Sequence, residues 1–344
     1  MLNVIKKILP DAYELLLRRN QILEVIHENS PIGRRMLAEK VNLTERLIRN
    51  EVKVLKKQQL ISTTKIGMYL TDEGLQTLEE LDKFFNEVFY LADLEKELAD
   101  YLAIESCTIV PGDLDQDRAV LSLVADKAVE VMDRLLGEGE QIITVMGGTT
   151  LKEVANHMTP KLSNNRELLF VPARGGLGDE ATIEANIIAQ RMAEQTGGQG
   201  HGLYAPEHVH QNTHKELMKE PEIKKTLELI ENASLILYSI GNPIVMAKRR
   251  GLDEETIKYL EEKGAVAEAF GEFIDAQGDI VLKLPNIGLQ SSSLNQIDHI
   301  LTVAGGEEKA LAIRSYLKTA PSHTRLVTDA AAANKILNWG DPLK

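Results

Sequence analysis

The sequence predicts an α/β protein preceded by a small helical head, and three observations predict it. Through the last two thirds of the chain, short β-prone apolar runs alternate with helical patterns, which specifies a parallel sheet covered by helices. The first 70 residues instead hold three helical patterns and one strand pair. Charge divides at the same place: residues 1–70 carry 13 Lys and Arg against 7 Asp and Glu, a net +6, whereas the rest carry 26 against 45, a net −19. The chain total of −13 therefore hides a basic head on an acidic body, the polarity of a protein that docks on phosphate with one end only. With 344 residues and 43% hydrophobic content, each part can fill a core. The sequence has no apolar run of about 18 residues and no apolar leader ahead of a small-residue cleavage site, so a cytoplasmic protein with no membrane partner is expected.

In the head, apolar residues recur at helical spacing from Tyr13 to His27, and Glu28-Asn29-Ser30-Pro31 ends the segment. Ile32 to Val41 reads as a short second helix, Asn42-Leu43 as a turn, and Thr44 as the N-cap of a third helix running to about Gln59. Helices joined by so short a turn make a helix-turn-helix. Leu43, Leu47, Val54 and Leu55 are expected to face inward. Glu45, Arg46, Arg49, Asn50 and Lys53 are left on an outer face suited to a major groove. Arg34 and Arg35 would grip phosphate, and Thr44 begins the reading helix. Two β-prone runs between Leu60 and Leu70, with Gly67 near the bend, supply a wing. The predicted domains are a winged helix-turn-helix over 1–74, a connecting helix over 75–103 and an effector-binding, oligomerising body over 104–344. Leu78, Leu81, Phe85, Val88 and Ala92 follow a 3-4-3-4 spacing, continued by Leu91, Leu94, Leu98 and Tyr101, which fits either a dimer seam or a helix packed on its own body.

Strands are predicted at Ser106–Val110, Gln141–Met146, Leu168–Val171, Ser234–Tyr238, His299–Val303 and Thr324–Val327. Ligands of such Rossmann-like sheets bind beyond the carboxyl ends of the strands. There the chain places Gly147-Gly148-Thr149-Thr150, a phosphate cradle built from close-approaching backbone, a helix start and two hydroxyls. It lacks the Walker A lysine and the GxGxxG spacing. A second Gly-rich turn carries Arg174, and two anion-competent loops imply a doubly charged ligand. Arg249, Arg250 and Lys309 add cations, and Glu268 adds a carboxylate for sugar hydroxyls. The histidines His201, His208, His210 and His214 lack the carboxylates or cysteines of a metal site, and Cys107 lies in an apolar strand without a catalytic partner. Neither metal nor cofactor is expected.

Several stretches carry a resemblance to a known family: Pro31 to Arg35, the Glu45-Arg46 to Arg49 pattern, Gly147 to Thr150, Arg166 to Gly178, Ala267 to Gly271, and Val303 to Gly306. Over nearly its whole length the chain resembles the SorC/DeoR-type sugar-responsive bacterial regulators. The resemblance implies an effector domain related to sugar-phosphate isomerases and deaminases, fructose 1,6-bisphosphate as inducer, and repression by DNA-bound oligomers, dimers joining into tetramers on operator DNA. It places phosphate on Gly147 to Thr150 and on Arg174, and further ligand contacts on Arg249, Arg250, Glu268 and Lys309. At Glu184 the chain departs from the family's amide, which weakens that side chain's claim on sugar hydroxyls. Two alternatives remain: a repressor for another phosphosugar, and an isomerase or deaminase bearing a DNA-binding head, with Glu268 or Glu184 as base.

Overall fold

The computed structural model describes residues 8–176, 181–206 and 211–338. The chain divides into two units, Met1–Tyr90 and Leu91–Lys344.

In the first unit a helix over Pro10–Asn29 opens with proline at its first turn, where a fixed φ and a missing N–H do no harm; it starts earlier than the pattern from Tyr13 indicated. Helices over Arg34–Lys40 and Glu45–Lys57 follow, joined through Asn42, whose φ of 52° is left-handed. Thr44 caps the third helix, its Oγ1 accepting the Leu47 N–H at 3.3 Å. Ile48, Glu51, Val52 and Leu55 turn inward, while Leu43, Leu47 and Val54, expected on that face, are only half-buried. The wing is a pair of antiparallel strands, β1 (Ile61–Thr63) and β2 (Met68–Leu70). It closes against the turn between the first and second helices, because Ile32 bridges Met68 and a Cβ on Gly67 would lie 2.8 Å from the Ile32 amide nitrogen.

One helix spans Asp72–Leu102. Leu78 is buried in the first unit's core, while Leu94, Leu98, Ala99 and Leu102 are buried in the second unit's core, so the later part of the stripe packs on its own body. The side chains of Phe85 and Val88, which the seam reading needs, lie outside the described residues.

The second unit is built on seven parallel strands: β3 (Ser106–Val110), β4 (Gly139–Val145), β5 (Arg166–Pro172), β6 (Gln199–Gly200), β7 (Leu235–Tyr238), β11 (His299–Val303) and β12 (Thr324–Asp329), ordered β3-β12-β11-β7-β4-β5-β6. All six predicted strands are present. From β4 the chain winds outward through β5 to β6, then returns to lay β7 on β4's other side and continues through β11 and β12. Right-handed crossovers in opposite directions put helices on opposite faces and leave a crevice where the winding reverses, between β4 and β7. A separate antiparallel sheet of β8 (Ala265–Ala269), β9 (Glu272–Asp275) and β10 (Ile280–Lys283) went unpredicted, although the turn Asp275 to Asp279 between two alternating runs signals it. Cys107 is buried in β3, and burial pushes its thiol up to about 12, which leaves no thiolate to act as a nucleophile at neutral pH.

Candidate functional site

The outer face of the Glu45–Lys57 helix presents Glu45, Arg46, Arg49, Asn50 and Lys53 to solvent, and Arg34 and Arg35 are exposed at the start of the preceding helix. The structure thus leaves all seven of these predicted DNA-facing side chains exposed. Thr44 is exposed as well, but its hydroxyl oxygen is engaged in the cap. Sequence reasoning missed Glu51. This acid, 6% exposed, points inward from the same helix and takes Arg19 Nε at 2.9 Å and Arg18 Nη1 at 3.5 Å. Two guanidiniums from the first helix thereby neutralise the carboxylate beneath an otherwise basic reading surface.

In the second unit, the loops after β4, β5, β7 and β11 meet the β8 hairpin around one cavity, lined by Gly147, Gly148, Thr149, Thr150, Arg174, Arg249, Arg250, Glu268 and Lys309. Nine of the ten expected ligand residues come together there from five separate chain segments. The tenth, Glu184, does not line it; it stands at the N-terminal boundary of the Ala185–Thr196 helix, its Oε2 3.9 Å from where a Cβ on Gly176 would lie.

The cradle follows from local sequence. Gly148, with φ 135°, turns the chain out of β4 so that the helix over Thr149–His157 starts with its amides and positive dipole end at the cavity. Gly147 admits no side chain, since a Cβ would stand 2.6 Å from the Ile183 carbonyl oxygen and 2.8 Å from Arg174 Nη2. One cradle amide is committed elsewhere: Gly148 N–H donates to the Ile183 carbonyl at 2.9 Å. The first-turn amides and hydroxyls of Thr149 and the buried Thr150 remain as donors lining the cavity.

Arg174 is held by a strap the sequence did not reveal. Gly175 N–H donates to the Ile287 carbonyl at 2.9 Å and Leu289 N–H to the Ala173 carbonyl at 2.7 Å, and a Cβ on Gly288 would come within 2.3 Å of the Ala173 oxygen. Opposite it, Arg250 Nη2 donates to Glu268 Oε1 at 2.6 Å, and Gly271 N–H donates to the same oxygen at 2.9 Å. Gly241 and Glu268 exchange backbone hydrogen bonds, tying β8 to the end of β7.

Lys309 enters from the Gly305-Gly306 turn, which Asp329 fixes by accepting N–H groups from Gly306 at 2.7 Å and Leu114 at 3.1 Å. Burial holds the Lys309 ammonium below the usual lysine range; Arg249 pushes it the same way, and Asp115 opposes them. A half-buried cation beside a second cation, only partly offset by Asp115, is the electrostatics of a site that gains from an anion.

The void is about 70 Å³, small against the roughly 300–1,000 Å³ of ordinary ligand pockets. As it stands it holds one phosphate-sized group, and anything larger requires the walls to part.

Of the other expectations, His201 donates or accepts a hydrogen bond at Thr226 Oγ1, 2.9 Å away. His208 and His210, together with Leu177 and Gly178 of the second Gly-rich turn, lie outside the described residues, as does the His214 side chain. Among the described residues, no helix is long and apolar enough to cross a membrane.

Comparison with known proteins agrees with this division. Residues 15–85 match the family described as "CggR N-terminal DNA binding domain", and residues 86–338 the family described as "Putative sugar-binding domain". The two units together define a transcription regulator with a DNA-binding domain and a sugar-binding domain of SorC type. Within that class, the chain belongs to the family of the central glycolytic genes regulators. It is 41% identical to the Central glycolytic genes regulator of Bacillus subtilis, over 96% of this chain and 97% of that protein. Its identity to the regulator of the same name from Priestia megaterium is 37%, over 98% of each. A solved structure from Enterococcus faecalis, the "putative SorC family transcriptional regulator", superposes with a TM-score of 0.68 at 44% identity, covering 71% of this chain and 99% of that one.

Proposed function

We propose that the chain represses central glycolytic genes by binding operator DNA as an oligomer, and that fructose 1,6-bisphosphate in the second unit releases it. The convergence of the Gly147–Thr150 cradle with Arg174, Arg249, Arg250, Glu268 and Lys309 on one cavity carries this reading. One phosphate sits on the Thr149 and Thr150 amides and hydroxyls. Arg174 and Lys309 neutralise the ligand's charge, and Glu268 accepts from its hydroxyls. The DNA face is Arg34, Arg35 and the outer residues from Thr44 to Lys53, acting in the cytoplasm on dimers that pair into tetramers on the operator. This reading assigns the chain no cofactor and no catalytic step; Glu268 is held in place by Arg250 and the Gly271 amide.

A second reading, in which the effector is a different phosphosugar, rests on the same cradle, which receives a single phosphate at the Thr149–Thr150 helix start. Calorimetric titration with a panel of glycolytic phosphates, with and without operator DNA, separates the two. The effector must bind less tightly to the DNA complex by the same factor by which it weakens DNA binding. If no phosphosugar shows that reciprocity, both readings fall.

A further inference from the structure

A second, larger cavity of about 490 Å³ lies in the same unit, where β9, β10, the turn over Ser291–Gln296 and the end of the Ala310–Leu317 helix meet. Its polar wall consists of Glu272, Ser291, Ser292, Asn295, Tyr316 and Thr319, and no lysine, arginine or histidine lines it. Its chemistry is the opposite of the phosphate cradle's. Glu272 is 5% exposed and holds Lys283 through Oε1 at 2.6 Å, a cross-strand pair between β9 and β10. Such a pair accounts for the lysine contact. It does not account for a buried carboxylate placed in the wall of a void of ligand-pocket size, among hydroxyl and amide groups. Asn295 and Ser292 are exposed at the rim, and Ile274, Leu294 and Pro321 contribute apolar surface. The Tyr316 phenol is held well above its usual range by burial, with the charges of Glu272 and Glu268 adding to the effect, so it remains a neutral donor.

We infer that this cavity is a second ligand site, selective for an uncharged polyhydroxyl compound of monosaccharide size and centred on the Glu272 carboxylate. A carboxylate with about four acceptor positions and one of its oxygens paired can still receive ligand hydroxyls, while no cation lines the void to hold a phosphate. The Asn295 amide and the four hydroxyls of Ser291, Ser292, Tyr316 and Thr319 supply the matching donors and acceptors, and the aliphatic wall fits a sugar's carbon face. The site is separate from the phosphate cavity but joined to it by two elements. The β8–β9 hairpin carries Glu268 in one and Glu272 in the other; the Ala310–Leu317 helix starts beside Lys309 and ends at Tyr316.

The test uses the full chain and D-glucose, D-fructose and sorbitol as probes, with glucose 6-phosphate alongside, read by calorimetry and ligand-observed NMR. At least one uncharged probe should bind saturably, with a Kd of about 1 mM or tighter. Saturating fructose 1,6-bisphosphate should not displace it. Glu272→Gln and Ser292→Trp should each weaken it by about tenfold or more, the loss expected for one charge-assisted hydrogen bond or a filled void. Ser292 is exposed, so its variant tests the cavity even if Glu272→Gln fails to fold. Absence of binding by all three uncharged probes, displacement by the bisphosphate, or unchanged binding in the Ser292→Trp variant overturns the inference.

Discussion

Arg250 Nη2 and Glu268 Oε1 stand 2.6 Å apart with their side chains 1% and 3% exposed, an ion pair sealed into the wall of the candidate ligand cavity. Buried pairs stabilise little relative to apolar packing, but losing one partner strands the other charge away from water. Glu268→Ala should therefore lower the unfolding free energy of the sugar-binding unit by about 3–5 kcal/mol. Urea titration followed by circular dichroism checks this, and a midpoint unchanged from the wild type would show that the pair is not sealed.

Gly147 lacks space for a methyl group on two sides, between the Ile183 carbonyl and the Arg174 guanidinium. Gly147→Ala should push Arg174 out of the cavity and abolish response to the phosphorylated effector while the head still binds operator. Electrophoretic mobility shift with and without effector distinguishes this from general unfolding, which would remove both.

Thr150 is buried at the helix start and lines the cavity together with Arg174, whose guanidinium lies beside Gly147. Thr150→Val or Arg174→Ala should yield a repressor that holds DNA and ignores the inducer, the arginine costing more because it removes a charge-assisted contact. Normal induction in both variants would remove this phosphate site.

Arg49 projects from the exposed face of the reading helix and contributes nothing to its core. Arg49→Ala should weaken operator binding by about 1–3 kcal/mol, with effector affinity unchanged. Fluorescence anisotropy against labelled operator measures the first and calorimetry the second; unchanged operator affinity would count against the recognition-helix assignment.

Lys309 has its proton affinity depressed in the unliganded chain by burial and by Arg249. A bound phosphate would restore it, so ligand binding should take up protons, and effector affinity should fall as pH rises through the unliganded Lys309 value. Calorimetry in buffers of different ionisation enthalpy, well above the phosphate's own second pKa of about 6, reads the proton count directly. Net release there would contradict the assignment of Lys309 to the anion.

Much of this protein is legible from its sequence because the relevant forces are local. Helical periodicity, the Thr44 cap, the glycine turn at the wing and the glycines at the end of β4 act over a few residues, and each appears where the pattern puts it. The same holds for the basic charge of the head. Orientation was less legible: the inner stripe of the reading helix is rotated from the expected one, because Glu51 turns inward onto Arg18 and Arg19, residues more than thirty positions away.

What only the tertiary structure decided is which distant groups meet. Strand order is set by long-range pairing and crossover direction, and it brings the cradle after β4 beside the end of β7, with Arg174, Glu268 and Lys309 arriving from three other segments. The same assembly couples Arg250 to Glu268, straps Gly288 over Arg174 and leaves Glu184 outside the cavity. A side chain's type fixes the chemistry it can offer. Its partner and its exposure to water depend on residues far along the chain, so that part emerges only when the sheet closes.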